Sequence, residues 1–278
     1  MNFTLIGLPL LLLVAGTPIF AVLLIAATVA LAFFMNIPLN AVHQNLFGSL
    51  NFTGLLAVPF FIFAGEVMSR GTVSLRLVEF VRSFVGGLPG ALGVTTVGTA
   101  TVFGAISGSS AAAVASVGKV MSPSMDAANY PRRVTAGLVT SVSAIGIVIP
   151  PSIPMIVYGA SAEASIPRLY AAGILPGLLL AVALAAFVIF RSLRSGFGDA
   201  QRMSLRGILH ATRRAIWALG APVIVLGGIY GGIFSPTEAA SVACIYAMIV
   251  TRFVFRELSF ADILQSPATL SCSLPRSS

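Results

Sequence analysis

Long apolar runs, each bounded by a short polar or charged stretch, organise this 278-residue chain. Leu5–Met35 is apolar and over-long for one straight membrane span of about 20 residues. Gly16-Thr17-Pro18 either kinks it or divides it into two short helices. Whether this segment crosses once or twice stays open, and with it the side of the N-terminus. Asn36–Asn51 reads as an uncharged polar loop and Phe52–Met68 as the next span. Ser74–Val85 has apolar residues at helical spacing with Arg76, Glu79 and Arg82 between them, which predicts a helix lying in the interface plane. Ala91–Val120 and Val134–Ala160 are apolar segments interrupted part-way. Tyr170–Phe190 and Ala215–Phe234 read as uninterrupted spans. Ser235-Pro236-Thr237-Glu238 predicts a helix start running on to about Phe255, with Ser235 as N-cap, Pro236 at the first helical position and Glu238 closing a capping box.

The two interruptions are Gly104-Ala-Ile-Ser-Gly-Ser-Ser110 and Ile149-Pro150-Pro151-Ser152-Ile153-Pro154. A broken helix is costly in lipid, because every freed N–H and C=O needs a partner that hydrocarbon lacks. Such breaks persist where loosened backbone lines a cavity, as in the ion and substrate sites of secondary transporters. Ser107, Gly108, Ser109 and Ser110 suit a hairpin tip. Glycine lets the chain turn and approach a ligand closely, and the serine hydroxyls add to the free carbonyls a set of hard oxygen donors for a small cation such as Na+. The half-helix from Ala111 points its free N–H groups and positive dipole end at the same place, which favours a carboxylate. The competing reading is a small-residue face for close helix packing over Gly98–Ala115. In the second interruption each proline removes a donor and pushes the preceding residue out of helical geometry. Carbonyls near Gly146 and Ile149 then lose their partners and can complete a coordination shell. The competing reading there is a simple proline kink.

Composition fixes the class. The chain is 57% hydrophobic and only 9% charged, against about 25% charged in a soluble domain; its mean hydropathy is +1.00. This is an all-α, polytopic membrane protein, a helical bundle with a re-entrant helical hairpin and a discontinuous transmembrane helix. The net charge of +8 is not gathered into a Lys/Arg-dense stripe with aromatics, which argues against nucleic acid as a partner and for membrane orientation. If Ala91–Val120 enters and leaves on one side, and Arg191, Arg194, Arg202, Arg206, Arg213 and Arg214 are cytoplasmic, then 15 of the 16 basic residues are cytoplasmic and only Arg168 lies outside. If the segment crosses once, they split 4 against 12. The positive-inside rule favours the hairpin.

Little else carries chemistry. Glu66, Glu163 and Glu238 sit at segment ends, where solvation or capping explains them better than proton relay. His43 and His210 lack metal spacing, and Cys244 and Cys272 give neither a disulfide framework nor a metal site. Trp217, Tyr158, Tyr170 and Tyr230 lie near span ends, the place of an aromatic belt. Met1-Asn-Phe-Thr has no basic n-region and is not read as a cleaved signal peptide. No catalytic motif is present, so no enzyme and no organic cofactor are expected.

Four motifs in order carry a family resemblance. Gly-Ala-Ile-Ser-Gly-Ser-Ser-Ala from Gly104, Ile-Pro-Pro-Ser-Ile-Pro-Met-Ile-Val-Tyr-Gly from Ile149, Ala-Gly-Ile-Leu-Pro-Gly from Ala172 and Ser-Pro-Thr-Glu-Ala-Ala from Ser235 resemble the large permease subunit of TRAP (tripartite ATP-independent periplasmic) transporters. The resemblance runs from about residue 3 to about residue 265 and implies the first half of an inverted-repeat, elevator-type transporter in the bacterial inner membrane. It further implies Na+-driven symport of an organic anion, C4-dicarboxylate or sialic-acid-like, delivered by a periplasmic solute-binding protein, with a small membrane subunit bracing the large one. By the same resemblance Ser107, Gly146, Ile149 and Pro151 contribute to a Na+ site, mostly through carbonyls. Ser109 and Ser110 lie near ion and substrate, and Gly104, Gly108, Pro150, Ser152 and Pro154 shape the breaks. The expected organisation is 1–90 for N-terminal spans and interfacial helix, 91–160 for the ion-site core, 161–258 for scaffold-type spans with an Arg-rich cytoplasmic loop at 191–214, and 259–278 for a divergent tail. Ser266–Ser278 is polar, rich in Ser and Pro, and expected to be disordered. It departs from the family pattern, which continues into a second half, so the chain reads as truncated and alone not expected to transport. A non-transporting scaffold module and a channel built from half-units are the competing functions.

Overall fold

The structure is a computed structural model that describes residues 2–34, 38, 40, 44, 47–48, 52–70, 72–195 and 204–257. Most of the expected polar loop 36–51, the stretch with Arg202 and the tail from residue 258 lie outside the described residues. The described residues are helical, in two compact units that divide after Phe52.

The first unit answers the question posed by Leu5–Met35. It is two helices, α1 (Asn2–Val14) and α2 (Ile19–Phe34), packed on each other. The join falls at the Gly-Thr-Pro signal: Gly16 takes φ +77 and the Thr17 hydroxyl donates to the Leu12 carbonyl at 2.6 Å. Glycine reaches this left-handed conformation without a Cβ penalty.

The second unit begins with a 3-10 turn (Thr53–Leu56) leading into α3 (Ala57–Arg70), then α4 (Val73–Val85). Next come α5 (Ala91–Ser107), α6 (Ser110–Ala127), α7 (Arg132–Val148) and α8 (Ile153–Ser161). The unit closes with α9 (Ile166–Ser195), α10 (Leu205–Tyr230) and α11 (Pro236–Ile249), the last ending in a π turn over Val250–Val254. Helix α5 is the hub. It is buried on nearly every face and packs against α4, α6, α7 and α9. A helix apolar all round belongs in an interior. Two of its buried threonines back-bond within the helix: Thr95 and Thr96 donate to the Ala91 and Leu92 carbonyls at 2.7 and 2.8 Å.

Helices α5 and α6 fold back on each other. Thr96, eleven residues before the end of α5, reaches Met125 near the far end of α6, Oγ1 to Sδ at 3.7 Å. Only an antiparallel hairpin brings these together. The charged ends agree with the hairpin reading of the sequence. Arg214 pairs with Glu79 at 3.3 Å, Arg76 pairs with Glu257 at 3.6 Å and covers the Phe255 ring at 3.9 Å, and Arg133 and Arg191 line one cavity. A single crossing by α5–α6 would put Glu79 and Arg214 on opposite faces of the membrane; the structure puts them in contact.

Helix α4 is amphipathic as its spacing predicts, but Val73, Leu77, Val78 and Val81 are buried against α5 and α10 rather than turned to lipid. Tyr158, Tyr230 and Trp217 are exposed, as belt residues should be, whereas Tyr170 is 0% exposed and belongs to the core. Its position near the start of α9 gave no warning that the surrounding fold encloses it. The bland readings of the acids hold at two positions: Glu66 pairs with Arg70 one turn on, at 2.9 Å, and Glu238 caps.

The cap on α11 is complete. The Glu238 N–H donates to the Ser235 hydroxyl at 3.3 Å, and the Ser235 N–H donates to the Glu238 carboxylate at 2.8 Å. Losing an N-cap hydroxyl costs about 1 kcal/mol. Ser235→Ala is therefore expected to speed amide hydrogen exchange in the first turn, Thr237–Ala239, about fivefold, with the rest of the protein unchanged.

Candidate functional site

The first interruption is shorter than the sequence suggests. Helix α5 runs to Ser107 and α6 starts at Ser110, so only Gly108 and Ser109 are non-helical. Gly108 takes φ +59 and donates its N–H to the Gly104 carbonyl at 2.8 Å, a left-handed helix stop. Ser109 turns extended and caps α6, its hydroxyl accepting from the Ala112 N–H at 3.5 Å.

The second interruption bends the α7–α8 pair by 43°. Ile149 and Ser152 are extended, and the Pro150–Pro151 peptide bond is cis. The prolines explain the bend. Pro150, Pro151 and Pro154 have no N–H to return to the carbonyls four residues earlier, those of Gly146, Ile147 and Pro150. The Ser152 hydroxyl, fully buried, serves Ile147 at 2.5 Å.

The interruptions meet. The Ile153 N–H donates to the Gly108 carbonyl at 3.3 Å. A Cβ on Gly108 would lie 2.6 Å from the Pro151 carbonyl oxygen, and one on Gly146 would lie 3.7 Å from the Ser109 oxygen. Behind them Gly104 and Gly146 touch main chain to main chain, and a Cβ on Gly104 would collide with the Gly146 Cα. Four helix ends thus converge. Helices α5 and α7 bring C-termini, with carbonyl oxygens and the negative dipole end; α6 and α8 bring N-termini, with N–H groups and the positive end. The Ser107 hydroxyl is fully buried, 3.4 Å from both the Ser109 N and O. Ser109 and Ser110 are partly open to the surface. Among the described residues no group of His, Cys, Asp and Glu could hold a metal ion. The donors available here are peptide carbonyls and serine hydroxyls, suited to a hard monovalent cation, beside N–H groups suited to a carboxylate.

Ser107, Gly108, Ser109, Gly146, Ile149, Pro150, Pro151 and Ser152 all lie at this meeting point, with Ser110 as the first residue of α6. Two positions differ from expectation. Gly104 is inside α5, where its lack of a side chain admits α7, so it is a packing residue and not part of the tip. Pro154 is helical, second in α8, and exposed. Three glycines were missed. A Cβ on Gly173 of α9 would lie 2.7 Å from the Val148 carbonyl oxygen, one on Gly177 2.5 Å from the Ile149 side chain, and one on Gly65 of α3 2.9 Å from the Ser107 Cβ. The four-residue spacing of Gly173 and Gly177 is the small-xxx-small signal of close helix approach. Gly65 has no such signal.

Comparison with known proteins gives the same region a context. Residues 6–273 match the family described as tripartite ATP-independent periplasmic transporter, DctM component, a match that runs past residue 265, where the resemblance read from the sequence ends. An isethionate TRAP transporter permease protein of Oleidesulfovibrio alaskensis is 44% identical over 248 residues, covering 89% of this chain and 39% of that protein. An ectoine/5-hydroxyectoine TRAP transporter large permease protein of Ruegeria pomeroyi is 40% identical, covering 79% and 51%. A C4-dicarboxylate TRAP transporter large permease protein of Rhodobacter capsulatus is 36% identical, covering 96% and 65%. The chain spans about half the length of the curated relatives it matches.

Proposed function

The chain belongs to the DctM component family of tripartite ATP-independent periplasmic transporters, multi-pass permease subunits of the inner membrane, and from that premise we propose that it carries the Na+ site and part of the substrate site of a Na+-driven importer of organic anions. The observation that supports this most is the meeting of four helix ends at Ser107–Ser110 and Gly146–Ile153. In this reading the Na+ ion replaces the partners that the break removes. The carbonyls of Gly146, Ile149 and Pro151 and the buried Ser107 oxygens face it, and the Gly146 carbonyl, which Pro150 cannot serve, would otherwise lack its helical partner in a medium without water.

The anion binds beside it, on the partly open side of the tip, where Ser109, Ser110 and the first N–H groups of α6 offer hydrogen bonds and a positive dipole end. Ion and anion attract each other across a water-poor site. Each raises the affinity for the other by the same factor, which is the thermodynamic basis of symport. The ion also fixes the Gly108–Ser109 turn that presents those N–H groups. The substrate class rests on relatives named for C4-dicarboxylate, isethionate and 2,3-diketo-L-gulonate. A small membrane subunit and a periplasmic solute-binding protein are the proposed partners, and α5–α8, with the re-entrant hairpin, form the body that moves in an elevator step.

Ser107→Ala combined with Pro151→Ala removes one hydroxyl and restores one peptide N–H. It is expected to weaken binding of radiolabelled Na+ to the protein in liposomes about tenfold, the loss of a hydrogen bond or contact to a charged group being about 1.5 kcal/mol. Unchanged Na+ affinity would sink the assignment. Equal binding of K+ by the parent chain would point to a channel-like unit instead.

A further inference from the structure

We propose that the groove between the start of α7 and the end of α9 is a binding site for an anionic phospholipid of the cytoplasmic leaflet. The helices are antiparallel here, and they enclose a cavity of about 300 Å³ with two arginines, Arg133 and Arg191, at one end. Leu138, Leu184 and Phe187 form its apolar wall. From Arg133 to Ser141 the lining follows α7 for eight residues, about 12 Å at 1.5 Å per residue. That depth takes the upper part of one acyl chain and no more.

The floor is made by an absent side chain. A Cβ on Gly137 would meet nothing within 4 Å, so the space above it is empty because the residue is glycine. Neither arginine has an acidic partner within 4 Å among the described residues, although three other ion pairs do form at Arg70, Arg76 and Arg214. A second cavity of about 190 Å³ continues past Phe187 to Arg194, whose guanidinium lies 4.6 Å over the Phe190 ring. Arg133 and Arg191 share an end of the molecule, as the one-sided charge count requires, and that end is the cytoplasmic one.

Two unpaired guanidinium groups above an apolar slot of acyl width match a molecule with an anionic head and a hydrocarbon tail. A free anion would use the arginines and leave the slot empty; a neutral lipid would fill the slot and leave the arginines unmatched. A basic pocket between helices on the cytoplasmic side is where anionic head groups bind. The site is separate from the tip and break, and the inference stands whether or not those hold Na+.

The test uses the whole chain in nanodiscs of phosphatidylcholine containing a minor share of phosphatidylglycerol, with native mass spectrometry of the released protein to count retained lipid. The parent chain is expected to retain phosphatidylglycerol over phosphatidylcholine. Arg133→Gln with Arg191→Gln should lower that preference about 30-fold, the effect of two basic residues near an anionic surface. Gly137→Leu should fill the slot and abolish retention while circular dichroism and unfolding temperature stay at parent values, since the added side chain enters open space. Equal retention of both lipids, an unchanged preference in either variant, displacement by glycerol 3-phosphate alone, or a dimer that excludes lipid from the groove would each overturn the proposal.

Discussion

Gly104→Val is expected to abolish Na+ binding and to lower the unfolding temperature by roughly 6–12 °C. The reason lies in what the new side chain meets. At most close approaches in the bundle the neighbour is the end of a side chain, which can rotate away. At Gly104 it is the Gly146 Cα, which cannot move without moving α7. Forcing extra atoms into a packed interior costs about 1–3 kcal/mol, and a main-chain obstacle puts this substitution at the upper end. Helices α5 and α7 must separate, and with them the tip and the break, which follow within a turn on each helix. Gly104→Ala should show a smaller loss of the same kind. Parent-level Na+ affinity in Gly104→Val, read with radiolabelled Na+ in liposomes, would mean that the contact of the two helices does not position the site.

Pro150→Ala separates chemistry from stability. Alanine at 150 carries the N–H that proline lacks, and in a helical continuation that N–H returns to the Gly146 carbonyl. The carbonyl assigned to the ion then has a peptide partner. Loss of one ligand interaction with a charged group is worth about 1.5–3 kcal/mol, so Na+ affinity is expected to fall about tenfold to a hundredfold. The unfolding temperature should hold or rise, because the exchange supplies a hydrogen bond that the break lacks and alanine is a better helix former than proline where α7 extends. Lost binding with retained stability distinguishes this variant from Gly104→Val, where both fall. If Pro150→Ala binds Na+ as the parent does, the Gly146 carbonyl is not a ligand.

Much of this was readable because proline and glycine act locally. Three prolines between 150 and 154 announce where hydrogen bonds fail, and the bend of α7 into α8 lies there. Gly16-Thr17-Pro18 announces the join of α1 and α2, and Ser235 to Glu238 the cap of α11. Charge counting chose the hairpin because orientation is a property of the whole chain, and the Arg214–Glu79 pair agrees with it. What stayed hidden depends on neighbours distant in sequence. A glycine inside a broken segment looks like part of the break, and only the position of α7 makes Gly104 a packing residue. Gly65 is one glycine in an apolar helix until Ser107 is set against it. Tyr170 reads as a belt residue at a helix start, and its burial follows from the fold around it.

In the proposed site, peptide oxygens released by two helix breaks hold one monovalent cation. The most direct test is a structure of the protein determined in Na+, with Tl+ then exchanged for Na+ and located by anomalous scattering. One peak is expected, bounded by Ser107 on one side and by Gly146, Ile149 and Pro151 on the other, and it should weaken as Na+ is restored. A map without a peak between these residues, or with the ion bound elsewhere in the chain, would contradict the account.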